Sequence, residues 1–188
     1  MLVKLMENKA NLDDYRVIHF IGDIDEGSTR AFIEKLDKYN FHAIEQHRTM
    51  KSPDIKPVTV ILSTYGGDAY CALTLYEALR TCMCPIHVFV SGYCMSGGFI
   101  FICGADLVTA TKNTRFMYHQ LSTCAFGTLA DIESTVVEDK VLQDTLDKII
   151  TENSSIKQKQ LDKVNNRKED WYMSAKEAAS LGLVDKVI

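Results

Sequence analysis

The chain has 188 residues, 46% of them hydrophobic, with 21 Lys and Arg against 25 Asp and Glu and a net charge of −4. That length and apolar share suit one folded domain with a substantial core and exclude a disordered or low-complexity polymer. The mildly acidic balance argues against nucleic-acid and polybasic membrane binding, both of which need a cationic surface.

Met1 to Lys9 lack the apolar run of a secretory signal, so a cytoplasmic location is expected. Arg16 to Ile21 is β-branched and apolar and reads as a first strand. Gly27-Ser28 offers an N-cap for a helix running to about Asn40. His42 to Pro57 is polar, holds two of the three prolines, and reads as a long inserted loop or flap. Val58 to Thr64 has the pattern of a buried strand, ended by Tyr65-Gly66-Gly67-Asp68. Ala69, Ala72, Leu73, Tyr76, Leu79 and Met83 then share one helical face.

Ile86 to Val90 predicts a second strand closed by Ser91-Gly92, and Met95 to Cys103 a buried helix. Val88 to Ala105 carries no charge, but Ser91, Gly92, Ser96, Gly97 and Gly98 interrupt it, so core segments are expected there and not a membrane span. Strand, glycine turn and helix, repeated, predict a parallel α/β core. Leu107 to Ala110 and Arg115 to Gln120 read as short strands. Thr128 to Asn153 carries a long amphipathic pattern, unusual for so small a domain, and is expected to project toward a partner subunit. The basic run from Lys157 to Lys168 reads as a solvated helical face. Ser174-Ala-Lys-Glu177 is a capping box opening a helix through Leu181, with Gly182 at its C′ position and Leu183 to Ile188 as a closing strand.

The six cysteines (Cys71, Cys82, Cys84, Cys94, Cys103, Cys124) lie mostly in apolar runs, as reduced buried thiols do. Cys82-x-Cys84-x-x-His87 lacks the second spaced pair of a zinc site, so no metal is expected. Both glycine turns follow parallel strands, where open α/β sheets bind ligands and helix N-termini favour an oxyanion. Ser96, between Met95 and Gly97-Gly98, has the setting of a nucleophile on a tight strand-to-helix turn, although a serine there is more often a helix cap. Of the five histidines, His42 and His47 lie in the polar segment and His19 and His87 inside strands. His119 ends a strand and can face a cleft. Asp170, ahead of Trp171-Tyr172 and the capped helix, is a carboxylate able to orient an imidazole.

Phe20-Ile-Gly-Asp-Ile-Asp, Gly66-Gly67 with its Leu-Tyr helix, Gly92-Tyr-Cys-Met-Ser96-Gly-Gly, Arg115-Phe-Met-Tyr-His119-Gln, Gly127-Thr-Leu-Ala-Asp-Ile-Glu and Asp170-Trp-Tyr-Met-Ser-Ala-Lys-Glu-Ala with Gly182-Leu-Val-Asp run in the order found in ClpP-type serine peptidases. The chain resembles that family from about residue 16 to residue 188. The resemblance implies an α/β fold with a ClpP/crotonase-like repeated β-β-α superhelical core, a head (about 16–127 and 154–188) and a protruding handle helix (about 128–153). It implies a serine endopeptidase without cofactor, with Ser96 as nucleophile, His119 as base and acid, Asp170 as orienting group, and the Gly67 and Gly97 N–H groups as oxyanion hole. It further implies peptide or unfolded-protein substrates and a homo-oligomeric ring of seven subunits, two of which stack through their handles.

Departures accompany the match. Tyr65 stands where the family usually has proline, Leu121 replaces the proline usual after His-Gln, and Gly97-Gly98 is closer to signal-peptide peptidases and phage-encoded relatives. The segment before the first strand is short, which counts against an AAA+ unfoldase partner in a family where that segment engages one. A divergent, phage-type peptidase, including one acting in capsid maturation, fits this pattern. A catalytically silent ring subunit and a crotonase-like thioester enzyme are the competing readings.

Overall fold

A computed structural model of the protein describes residues 15–51 and 54–188. The residues that organise it are in the strand Val58–Thr64 (β2), where Val58, Val60, Leu62 and Thr64 are fully buried on one face while the alternate residues are half covered. A strand of β-branched residues covered on both faces belongs in the middle of a sheet. It pairs in parallel with Val17–Ile21 (β1) on one side and Ile86–Met95 (β3) on the other. β3 pairs in parallel with Leu107–Ala110 (β4), and β4 with the two-residue strand Lys186–Val187 (β7).

Helices Glu26–Thr49 (α1), Ala69–Thr81 (α2) and Gly97–Ile102 (α3) follow β1, β2 and β3. Every residue of α3 is buried, and its Phe101 meets Phe20 of β1 and Phe32 of α1 edge-on, with ring centroids 5.3 and 5.1 Å away. Arg115–Tyr118 (β5) is followed by Leu129–Glu152 (α4), Gln158–Arg167 (α5), Trp171–Ser174 (β6) and Ala175–Ser180 (α6). α4 starts at a Thr128–Asp131 capping box and ends at Asn153, the bounds its periodicity predicts. Its buried residues, Leu142, Leu146, Asp147, Ile149 and Ile150, lie in its C-terminal half. Leu129, Val136 and Val137 in the other half, and Val141 at the midpoint, are exposed.

Five expectations are corrected. The polar segment from His42 is helical to Thr49, because Thr29, Phe32, Leu36 and Ala43 continue one buried stripe and its charges are the solvent face of the same helix. The described residues between α1 and β2, 50–51 and 54–57, are not helical, and 52–53 of the expected loop lie outside the described residues. The cap of α1 is Asp25, which accepts the Ser28 N–H at 2.7 Å while Ser28 Oγ accepts the Asp25 N–H at 2.9 Å, so Ser28 is the third helical residue and not the cap.

β3 does not stop at Ser91-Gly92. Gly92, at φ +92°, lets the strand bend and continue to Met95. Its first half pairs with β4 and residues 93–95 pair with β5. The helix after it therefore begins at Gly97, not Met95. The closing segment from Leu183 forms a strand over Lys186–Val187 alone, since Leu183 and Val184 turn into the core.

No described helix is long and apolar enough to cross a membrane.

Candidate active site

The bend in β3 builds the site. Beyond it, Tyr93, Cys94 and Met95 align with Arg115, Phe116 and Met117 of β5, both strands running the same way. Ser96 and His119 therefore emerge at the same carboxyl end of two neighbouring strands, although 23 residues separate them. The Ser96 N–H donates to the Met117 carbonyl at 2.9 Å, tying the serine's turn to the strand that carries the histidine. His119 Nε2 lies 2.8 Å from Ser96 Oγ.

Ser96 occupies the cap position of α3, yet its hydroxyl makes no capping bond. Its backbone is at φ +50° and ψ −121°, a region an L-residue adopts only where its surroundings impose it, at a cost on the order of 1–3 kcal/mol. The imposition is visible next door. A Cβ on Gly66 would stand 2.7 Å from Ser96 Cβ and from the Gly97 nitrogen, so only glycine permits the two turns to touch.

Gly67 is equally confined. The Ile24 N–H donates to the Gly66 carbonyl and the Asp68 N–H to the Ile24 carbonyl, both at 2.8 Å. In such a parallel bridge the flanking residues face the partner, so the N–H of Gly67 itself faces the other way. Gly97, first residue of α3, has no helical acceptor for its own N–H. Both glycines line a cavity of about 280 Å³ together with Ser96, His119, Ile100, Leu142 and Leu146.

The third expected residue stands apart. β6 pairs antiparallel with β5, Tyr118 opposite Trp171, and continuing that register sets Asp170 across from His119. The Asp170 side chain is exposed, however, and accepts from the Tyr172 hydroxyl at a long 3.5 Å. No hydrogen bond joins it to His119 among the described residues.

A polar cluster that the sequence did not single out supports the site from behind. Asp147 of α4, 2% exposed, accepts from the Tyr118 hydroxyl at 2.6 Å, Gln143 Nε2 at 2.8 Å, Gln158 Nε2 at 3.0 Å and Asn165 Nδ2 at 3.2 Å. Burial and the carboxylate beside it hold the Tyr118 phenol well above its usual titration range. Gln143 Oε1 accepts the Leu121 N–H at 2.7 Å, fixing the chain two residues beyond His119. Periodicity assigns Gln143 and Asp147 to the helix, and nothing local marks them as buried.

Of the remaining residues, His42 and His47 are exposed on α1 and His19 on β1. Cys84, Cys94 and Cys103 are buried, whereas Cys124 is exposed. Burial pushes the Cys103 thiol up to about 12. No group of three His, Cys, Asp or Glu side chains suited to a metal occurs among the described residues.

The sequence pattern of the Clp protease family matches residues 4–188. The chain is 30% identical over 133 residues to the ATP-dependent Clp protease proteolytic subunit of Deinococcus radiodurans, an alignment covering 70% of this chain and 64% of that protein. It is 27% identical over 141 residues to ATP-dependent Clp protease proteolytic subunit 2 of Chlamydia trachomatis, covering 74% of this chain and 68% of that one. Among solved structures, a ClpP1 mutant from Listeria monocytogenes matches all of this chain and 96% of its own, with a TM-score of 0.79 at 20% identity, a likeness of fold.

Proposed function

The chain belongs to the Clp protease family, and on that premise we propose that it is a serine endopeptidase acting through an acyl-enzyme. The observation that carries the proposal is the 2.8 Å contact between Ser96 Oγ and His119 Nε2, made by a serine whose hydroxyl caps no helix. In this reading His119 Nε2 takes the hydroxyl proton as Oγ attacks the substrate carbonyl. The oxyanion of the tetrahedral intermediate receives the N–H groups of Gly67 and Gly97, one from each glycine turn. His119 then hands the proton to the departing amine, and a water molecule, deprotonated by the same nitrogen, releases the acyl group. Asp170 is assigned the orienting role from its register opposite His119. No cofactor takes part.

We further assign the exposed stretch of α4, Leu129 to Val141, to assembly. A helix of this length spans about 36 Å, and apolar side chains such as Val137 and Val141, 62% and 55% exposed, are suited to pairing with a second copy. The reading is of a cytoplasmic homo-oligomeric ring that encloses the site and takes peptides or unfolded chains. The relatives' name describes proteolytic subunits of an ATP-dependent protease, which makes an ATPase partner part of the proposal. Size-exclusion chromatography with light scattering tests assembly, and Val137→Glu with Val141→Glu is expected to yield smaller species.

One observation favours the silent-subunit reading, namely the exposed Asp170 without a bond to His119. Labelling with an alkyl fluorophosphonate, read by intact mass, separates the two. One adduct on the parent and none on Ser96→Ala is the expected result. No adduct on the assembled parent would sink the peptidase reading.

A further inference from the structure

The cavity beside Ser96 has an asymmetric wall. Ala72, Ile100, Leu142 and Leu146 make much of it apolar, and its charged groups are two carboxylates, Asp68 and Asp139, with no lysine or arginine. Asp68 is committed to its own helix, accepting the Cys71 N–H at 2.8 Å. Asp139 is not. Its Oδ2 is buried and, among the described residues, has no hydrogen-bond partner and no ion pair. A carboxylate oxygen withdrawn from water without a donor is costly unless something supplies one.

The surroundings deepen the negative potential. Tyr70, another lining residue, donates its hydroxyl to Glu138 Oε1 at 2.8 Å. That bond, with burial and the charges of Glu138, Asp139 and Asp68, raises its phenol above the ordinary value. His119, half-buried across the cavity, is engaged with Ser96 and leaves Asp139 unneutralised.

Resting on the peptidase reading, we infer that this cavity is the subsite for the side chain next to the scissile carbonyl, and that Asp139 selects a cationic one, lysine or arginine. The methylene stem of either residue lies along Leu142, Leu146 and Ile100, and its terminal cation meets the unpaired Asp139 carboxylate. The volume, about 280 Å³, is enough for one long side chain. A glutamate there faces two like charges.

The test uses internally quenched peptides that differ only at the residue donating the scissile carbonyl: lysine, arginine, norleucine, leucine or glutamate. Norleucine matches the lysine stem without its charge, so the lysine-to-norleucine ratio of kcat/KM isolates the ion pair. The parent is expected to favour lysine or arginine over norleucine by about tenfold or more and to reject glutamate. Asp139→Asn should bring the ratio close to one, and Asp139→Glu should restore part of it.

A parent that cleaves the norleucine or leucine peptide as well as the lysine peptide overturns the inference, as does a ratio unmoved by Asp139→Asn. Fluorophosphonate labelling run alongside tells this failure from that of the peptidase reading. A labelled Ser96 without cationic preference removes the subsite alone, and an unlabelled, inactive parent removes both. The relative rates of the lysine and arginine peptides identify which cation fits.

Discussion

Gln143 Oε1 accepts the Leu121 N–H at 2.7 Å, while Gln143 Nε2 donates to Asp147 at 2.8 Å. The long helix thus holds the main chain just after His119 by one side chain. Leu121 stands at a position where the ClpP-type pattern usually has proline, which has no N–H to satisfy. The glutamine answers a donor that the leucine introduces.

Gln143→Leu should therefore lower kcat/KM and cost about 1–2 kcal/mol of stability, the usual penalty for a buried donor left unpaired. Leu121→Pro removes that donor, so the glutamine's loss should be milder in the proline background. Chemical denaturation of the parent, both single variants and the double variant gives the coupling energy. Strict additivity would show that Gln143 acts through Asp147 alone.

Gly67→Ala introduces a Cβ that would stand 2.1 Å from the Ile24 carbonyl oxygen, on a backbone at φ +150°. No rotamer relieves a backbone clash, so Ile24 or Gly67 has to move. A loss of at least about 2 kcal/mol is expected, together with the loss of fluorophosphonate labelling because the Gly67 N–H turns away. A folded Gly67→Ala protein that labels at the parent's rate would argue against that N–H binding the oxyanion.

Asp147 accepts four hydrogen bonds at 2% exposure. Asp147→Leu leaves the Tyr118, Gln143, Gln158 and Asn165 donors facing a methyl group, and about 3–5 kcal/mol should be lost. Asp147→Asn keeps one acceptor oxygen and should cost markedly less. Thermal unfolding of the pair measures the difference. Equal losses would mean that the site needs only volume.

Three helices begin with carboxylates held below their ordinary values by hydrogen bonds: Asp25 chiefly from the Ser28 N–H, Asp131 from the Thr128 hydroxyl and Glu177 from the Ser174 N–H. A lowered folded pKa adds stability above the unfolded value, about 4 for such groups. That stability is lost as pH falls through the lower folded value. Melting temperature should therefore decline between pH 5 and pH 3, and Asp25→Asn, Asp131→Asn and Glu177→Gln together should flatten the decline. An equally steep decline in the triple variant would place the acid sensitivity elsewhere.

Much of the fold is written in short-range signals. Thr128 with Asp131 and Ser174 with Glu177 bracket their helices because a cap is a contact between residues three apart. Ser96 on its glycine turn and His119 at its strand end were legible as types in context, and six blocks in order pointed to one family.

Where local signals failed, the deciding contact lay far along the chain. Gly92 looks like a stop, and only the arrival of β5 beside β3 makes it a bend that carries Ser96 to His119. His42 to Thr49 looks like a loop because its apolar stripe is reduced to Ala43, and only packing against the sheet reveals that face. Residue order and spacing determined which groups are present and which helices carry them. Tertiary structure decided which are buried, since burial depends on what folds over a side chain. That difference turned Asp147 into an anchor, left Asp139 unpaired in the cavity beside Ser96, and set Asp170 facing solvent.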